Sequence, residues 1–156
     1  MTNPSAIQTL VELSSREVDE FAKRLGIAIR SNEDNEQKLA LLMQYREDYA
    51  QRCQLDLATG LSTQGYQNFR VFLNKLDDAI DGQREIIKQS KHHVEMERQA
   101  WQSAERKRMS FDTLASRAQQ QAHQQNVRRE QKSTDEYASR SLANKPNTYK
   151  HSIGYE

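Results

Sequence analysis

The chain has 156 residues, 35% of them apolar and 29% charged, with 23 lysines and arginines against 22 aspartates and glutamates. A mean hydropathy of −1.00 excludes a thick globular core. A net charge of +1 excludes bulk electrostatic attraction to nucleic acid or to a membrane.

Such a chain either stays unfolded or buries a narrow apolar stripe, and its periodicity favours the stripe. There are two prolines, Pro4 and Pro146, and none between them. Because proline removes a backbone donor and clashes with the preceding turn, the long interval between them is a permissive helical window. Ser5, three residues before Gln8, has the spacing of a capping box and is expected to start the first helix. From there a 4–3 alternation runs Ile7, Val11, Ser14, Val18, Phe21, Leu25, Ala28, then through Asn32 and Asn35 to Leu39, Leu42, Arg46, Tyr49 and Cys53. That is a heptad seam, by which one helix buries a stripe against another.

The seam is interrupted at Thr59-Gly60-Leu61-Ser62. Gly60 can take the left-handed conformation that closes a helix, and Ser62 or Thr63 can cap the next one. The second run is the more apolar of the two. It passes through Tyr66, Phe69, Leu73, Leu76 and Ile80 and continues past Gln83, Ile87, Ser90, Val94 and Trp101 to Ala104 and Phe111. The expected fold is all-α: a long antiparallel two-helix coiled coil, with helices over 5–58 and 63–140, a turn at 59–62 and a flexible tail over 141–156.

Folding about the turn brings Asn32 and Asn35 level with the stretch between Gln83 and Ser90. A hydrogen-bonded polar layer that fixes the register is expected there. At 1.5 Å per residue the second helix outruns the first by ~36 Å. In that overhang, 119–140, the stripe thins to alanines among glutamines and arginines. A lone helix with so little to bury is marginal in water, so the overhang is expected to fray or to be ordered by a partner.

Residues that carry chemistry are few. The phosphate-loop, dinucleotide-binding, nucleophile-elbow and HExxH patterns are absent. His92 and His93 are adjacent, so on a helix they diverge by about 100° and cannot chelate one metal. The single cysteine, Cys53, lies on the seam and suits a reducing compartment. Arg106-Lys107-Arg108 reads as a phosphate-binding patch or as a solvated face. No secretory signal is visible at Met1–Pro4, and the longest apolar cluster, Leu39–Met43, falls far short of the ~20 residues that cross a bilayer. The chain is expected to be cytoplasmic and without catalytic residues, metal or cofactor.

One apolar feature exceeds what a hairpin needs. Near the turn, Leu42, Tyr45, Tyr49, Phe72, Leu76 and Ala79 make the stripe wider than two helices can bury on each other. Either some of these side chains stay exposed as a partner site, or all of them wrap around the seam.

These motifs, in this order, resemble those of the FliJ family of flagellar export proteins. The residues that carry the likeness are Leu10-x-x-Leu13-x-x-x-Glu17-Val18, Leu25-Gly26, and Leu39-x-x-Leu42-x-x-Tyr45-x-x-x-Tyr49. They continue with Gly60, Phe72-x-x-x-Leu76-x-x-Ala79-Ile80, Trp101, and Gln131-Lys132-x-x-Asp135-Glu136-x-Ala138-x-Arg140. The resemblance spans residues 7 to 140. It implies a central-stalk-like coiled coil that inserts into the ring of the export ATPase FliI and promotes its assembly. It also implies contacts to the export gate protein FlhA and to export chaperones, so that the protein is peripheral to the inner-membrane gate. By the same resemblance the gate-binding set is Leu42, Tyr45, Tyr49, Phe72, Leu76 and Ala79. The end that faces the ATPase ring includes Leu13, Glu17, Gln131, Lys132 and Asp135. Lys38 and Gln83 stand where the family has glutamine and histidine, which puts the polar rim of the gate contact in question. The competing readings are an injectisome stalk, a structural coiled-coil spacer without a specific ATPase, and a nucleic-acid-binding rod.

Overall fold

The computed structural model describes residues 4–146 and is a helical hairpin, with α1 over Pro4–Thr59 and α2 over Thr63–Ala143. Among the described residues there is no strand. Each helix buries one edge against the other, and no large side chain is fully enclosed. The buried seam comprises Ile7, Ser14, Ala28 and Cys53 of α1 with Leu76, Ile80, Ile87 and Ala104 of α2. Removing Leu76, Ile80 and Ile87 from water contributes roughly 1.5–3 kcal/mol each. Ser14, the most buried polar residue of the seam, donates its hydroxyl to the Val11 carbonyl at 2.9 Å and so brings no unmet hydrogen bond inside.

The turn forms as its residue types dictate. Gly60 has φ +102°, a conformation a side chain would strain, and its N–H donates to the Leu57 carbonyl. Ser62 caps α2: extended in backbone, it accepts from the Gly65 N–H on its side-chain oxygen at 3.1 Å. The start of α1 differs from expectation. The helix begins at Pro4, whose fixed φ suits a first helical position, so Ser5 lies inside the first turn. The Gln8 side-chain amide donates forward to Glu12 at 3.5 Å.

Register is visible in the cross-helix pairs. Arg46 meets Asp77 and Glu17 meets Lys107, so facing residue numbers add to 123 or 124. The polar breaks of the two seams do meet, but not as a layer of paired side chains. The Gln83 amide donates to the Asn35 main-chain carbonyl at 2.9 Å, and the Asn32 side-chain oxygen is buried without a partner.

Beyond the level of Pro4, α2 continues alone. It is unbroken helix to Ala143, past the expected end at Arg140, and closes with the Asn144 N–H on the Arg140 carbonyl at 3.1 Å. Every residue from Gln119 to Pro146 is exposed. The expected tail beyond Pro146 lies outside the described residues.

Candidate functional site

The widened stripe near the turn is divided by the structure into a packed part and an open part. Leu76 is buried in the seam. Leu42 and Tyr49 are half-buried, with the Tyr49 ring tilted between Phe69 at 4.9 Å and Phe72 at 4.4 Å. This cluster carries the tilted geometry that aromatic quadrupoles favour, and it links the two helices one turn from the next buried layer. Tyr45, by contrast, is 65% exposed, Phe72 is 37% exposed, and Ala79 is exposed. Tyr45, Asp48, Tyr49 and Arg52 line a shallow hollow of about 250 Å³. Part of the set forms the seam and part stands in solvent beside it, so these side chains do not all wrap around the seam.

Two further apolar residues widen the open part, Leu41 at 64% exposure and Ile86 at 48%. They lie off the seam columns, and a search for a single heptad stripe passes over them. Counting a third column, seven residues apart through Phe72, Ala79 and Ile86, would have found the second of them.

The polar surroundings of this face are settled by specific partners. Gln83 is half-buried and committed to Asn35, so it faces into the rod and does not add to an outer rim. Lys38 is exposed. On the other side of the seam the Arg46 guanidinium donates to both carboxylate oxygens of Asp77. That hydrogen bond holds the Asp77 carboxyl below its ordinary range and raises Arg46.

At the far end the other expected residues fall into two groups. Leu13 is 53% exposed, and Glu17 accepts from Lys107 across the helices at 3.3 Å. Gln131, Lys132 and Asp135 are exposed on the single-helix overhang, ~36 Å further along the axis than Lys107. The two groups share an end of the rod and not a surface. Between them, where α1 stops, Ile7, Ala115, Ala118 and Ala122 line a groove of about 200 Å³.

The basic run beside this groove is largely neutralised. Lys107 reaches Glu17, while Arg108 holds Glu105 and reaches Asp112 at 2.8 Å, an arrangement that keeps the Glu105 carboxyl below its ordinary range. This is the chemistry of a solvated helix face rather than of a phosphate site. His93 lies 3.9 Å from Glu97, and no cluster of three metal-ligating side chains occurs among the described residues. Cys53 is a buried free thiol. No described helix is long and apolar enough to cross a membrane.

The family model of the flagellar FliJ protein matches residues 4–147. The flagellar FliJ protein of Salmonella typhi is 28% identical over 146 residues, covering 94% of this chain and 99% of its own length. That of Escherichia coli (strain K12) is 27% identical over the same shares.

Proposed function

This chain belongs to the flagellar FliJ protein family, and on that premise we propose that it is the central-stalk-like adaptor of the flagellar type III export apparatus. Membership makes it a non-enzymatic flagellar export component. Its finer role is our reading. The overhang and the paired ends insert into the ring of the export ATPase FliI and promote ring assembly and turnover. The open face near the turn contacts the export gate protein FlhA, and export chaperones exchange on the same rod. The protein then works in the cytoplasm, peripherally at the inner-membrane gate.

One observation carries this reading: the rod presents chemically distinct ends. Near the turn, aromatic surface stands exposed beside the seam. At the far end a single polar helix projects with nothing of its own to pack against, a shape suited to a narrow pore and poorly suited to catalysis, which needs a concave site. The alternative of an injectisome stalk shares the mechanism, but the matched relatives are flagellar by name. A heptad-only spacer leaves the exposed aromatics without a purpose.

The test is co-purification with the export ATPase, together with its turnover. Full-length protein is compared with a version that ends after Ala122, which keeps the cover over Ile7. The stalk role requires that full-length protein raise ATPase oligomerisation and turnover while hydrolysing nothing itself, and that truncation abolish the gain. No gain from the full-length protein would end this reading.

A further inference from the structure

One edge of α1, a single residue round from the seam, carries Asp34, Lys38, Leu41, Tyr45, Asp48 and Arg52 at alternating steps of four and three. That spacing keeps all six on one side of the helix. All six are exposed, Leu41 at 64% and Tyr45 at 65%. Asp34 stands four residues from Lys38, and Asp48 four from Arg52, yet none of these charges has an ion-pair partner among the described residues.

The stripe is complementary to its own reverse. Laid antiparallel on a second copy so that facing numbers add to 86, Asp34 meets Arg52, Lys38 meets Asp48 and Leu41 meets Tyr45. A two-fold axis makes each of these pairs twice. The next positions outward, Ser31 with Leu55 and Ile27 with Thr59, set no like charges together. A shift of one heptad puts Leu41 against Lys38 or against Arg52 and leaves every charge of the stripe unmatched. A parallel arrangement sets Asp34 against Asp34, and like charges so placed are repelled.

The neighbouring helix accepts the same axis. Lys38, Tyr45 and Arg52 lie in the column of Glu17, and Phe72, Ala79 and Ile86 in that of Lys107; the Glu17–Lys107 ion pair, at 3.3 Å, puts both columns on one face. Facing residues of the hairpin add to 123 or 124, so an axis crossing α1 at the level of residue 43 crosses α2 between Ile80 and Asp81. There it brings Ala79 against Gly82 of the second copy, two residues small enough for the helices to approach. In the single rod a Cβ at Gly82 would meet no atom within 4 Å, so the space is open. On α1, Lys38 of the second copy lies over the hollow lined by Tyr45, Asp48, Tyr49 and Arg52. Its stem covers the rings while its ammonium reaches Asp48. From Ile27 to Thr59 the strip is ~48 Å long and two helices, ~20 Å, wide. That is roughly 900 Å² per copy, above the ~800 Å² that each partner buries in a standard interface.

We propose that the free protein forms an antiparallel dimer through this face. A second copy is the occupant because the stripe reversed supplies each match, whereas an unrelated partner has no need of that symmetry. The face includes Tyr45, Phe72 and Ala79 of the proposed gate-binding set, so the second copy and the gate exclude each other, and dissociation of the dimer opens the gate surface. The exclusion rests on the gate reading; the dimer rests only on the stripe and its register.

Sedimentation equilibrium of the full chain alone, up to high micromolar concentration, tests the dimer. The chain dimerises reversibly. Asp48→Lys sets Lys38 against a second lysine at two places and weakens the dimer about tenfold or more. Within one copy Lys38 and Asp48 are ~15 Å apart along the helix, so Lys38→Asp can rescue Asp48→Lys only through another copy. The double variant restores association to within about threefold of the original. Both side chains are exposed, and circular dichroism shows the helicity of the variants unchanged. A chain that stays monomeric, a dimer that Asp48→Lys leaves intact, or one that Lys38→Asp fails to rescue overturns the proposal. No gate protein is present in this measurement, so its outcome is separate from loss of gate binding in Tyr45→Ala.

Discussion

Gln83 donates its side-chain amide to the main-chain carbonyl of Asn35, 2.9 Å away across the hairpin, while Asn32, three residues earlier on the same edge, buries an oxygen with no partner. The two facts have opposite signs. The first ties the helices in one register; the second leaves a desolvated acceptor that costs about 1–3 kcal/mol. Asn32→Leu is therefore expected to raise the melting temperature by several degrees while leaving helicity unchanged. A lower melting temperature by circular dichroism would show that the Asn32 oxygen is not a net cost.

The heptad columns made most of this fold legible in advance, because each seam position that is apolar in sequence has only one face on which to be buried. Gly60 and Ser62 were equally legible, since a positive φ and an N-cap each demand a narrow set of residue types. Ser5 was not. Pro4 satisfies the same first turn by its fixed φ, and spacing alone does not say which of two adjacent residues begins a helix. The widened stripe was legible as a group and not residue by residue. Leu76 and Tyr45 are both apolar and near the turn, but a rotation of about one residue's arc decides which enters the seam. The length of α2 beyond Arg140 was hidden for another reason: an exposed helix leaves no apolar period by which to measure it.

The turn carries a prediction of its own. At Gly60 a Cβ would meet no atom within 4 Å, so space is not limiting; the positive φ is. Gly60→Ala is expected to destabilise the hairpin by about 1–2 kcal/mol with no loss of helical signal. Thermal melts of the two proteins check it, and equal stability would mean that the turn can rearrange to negative φ. Lengthening this turn is more severe, since it would shift Gln83 away from Asn35 and alter both faces; motility is expected to suffer although helicity survives.

Acid should loosen the rod through two carboxylates. Asp77 is held below its ordinary range by the hydrogen bond from Arg46, and Glu105 by the one from Arg108. A carboxylate depressed in the folded state adds stability that is fully present above its unfolded value and is lost as pH falls through its folded one. The melting temperature is thus flat around neutrality and declines below the ordinary carboxylate range. The Asp77–Arg46 side chains are 45% and 40% exposed, so salt weakens the effect. Asp77→Asn with Glu105→Gln should flatten the acid limb, and an unchanged limb would assign it to other groups.

The tip residues differ in how cleanly they can be tested. Tyr45 is 65% exposed, and Tyr45→Ala is expected to cost no more than about 0.5 kcal/mol of stability. Leu76 is buried at the seam, so Leu76→Ala removes packing worth about 2–5 kcal/mol and any binding defect it causes is ambiguous. Phe72 lies between these cases: its ring packs 4.4 Å from that of Tyr49, and its outer edge is open. If the open face engages the gate, Tyr45→Ala weakens binding to the gate's cytoplasmic domain and reduces motility while the melting temperature holds, and Phe72→Ala does so with a modest loss of stability. Binding that falls only in step with stability, across Tyr45→Ala, Phe72→Ala and Leu76→Ala, would instead make this cluster a structural joint between the helices. The decisive comparison is gate affinity plotted against melting temperature. For Tyr45→Ala the contact reading places the point far below the line that the seam variants define, because an exposed ring can be removed from an interface without being removed from a core.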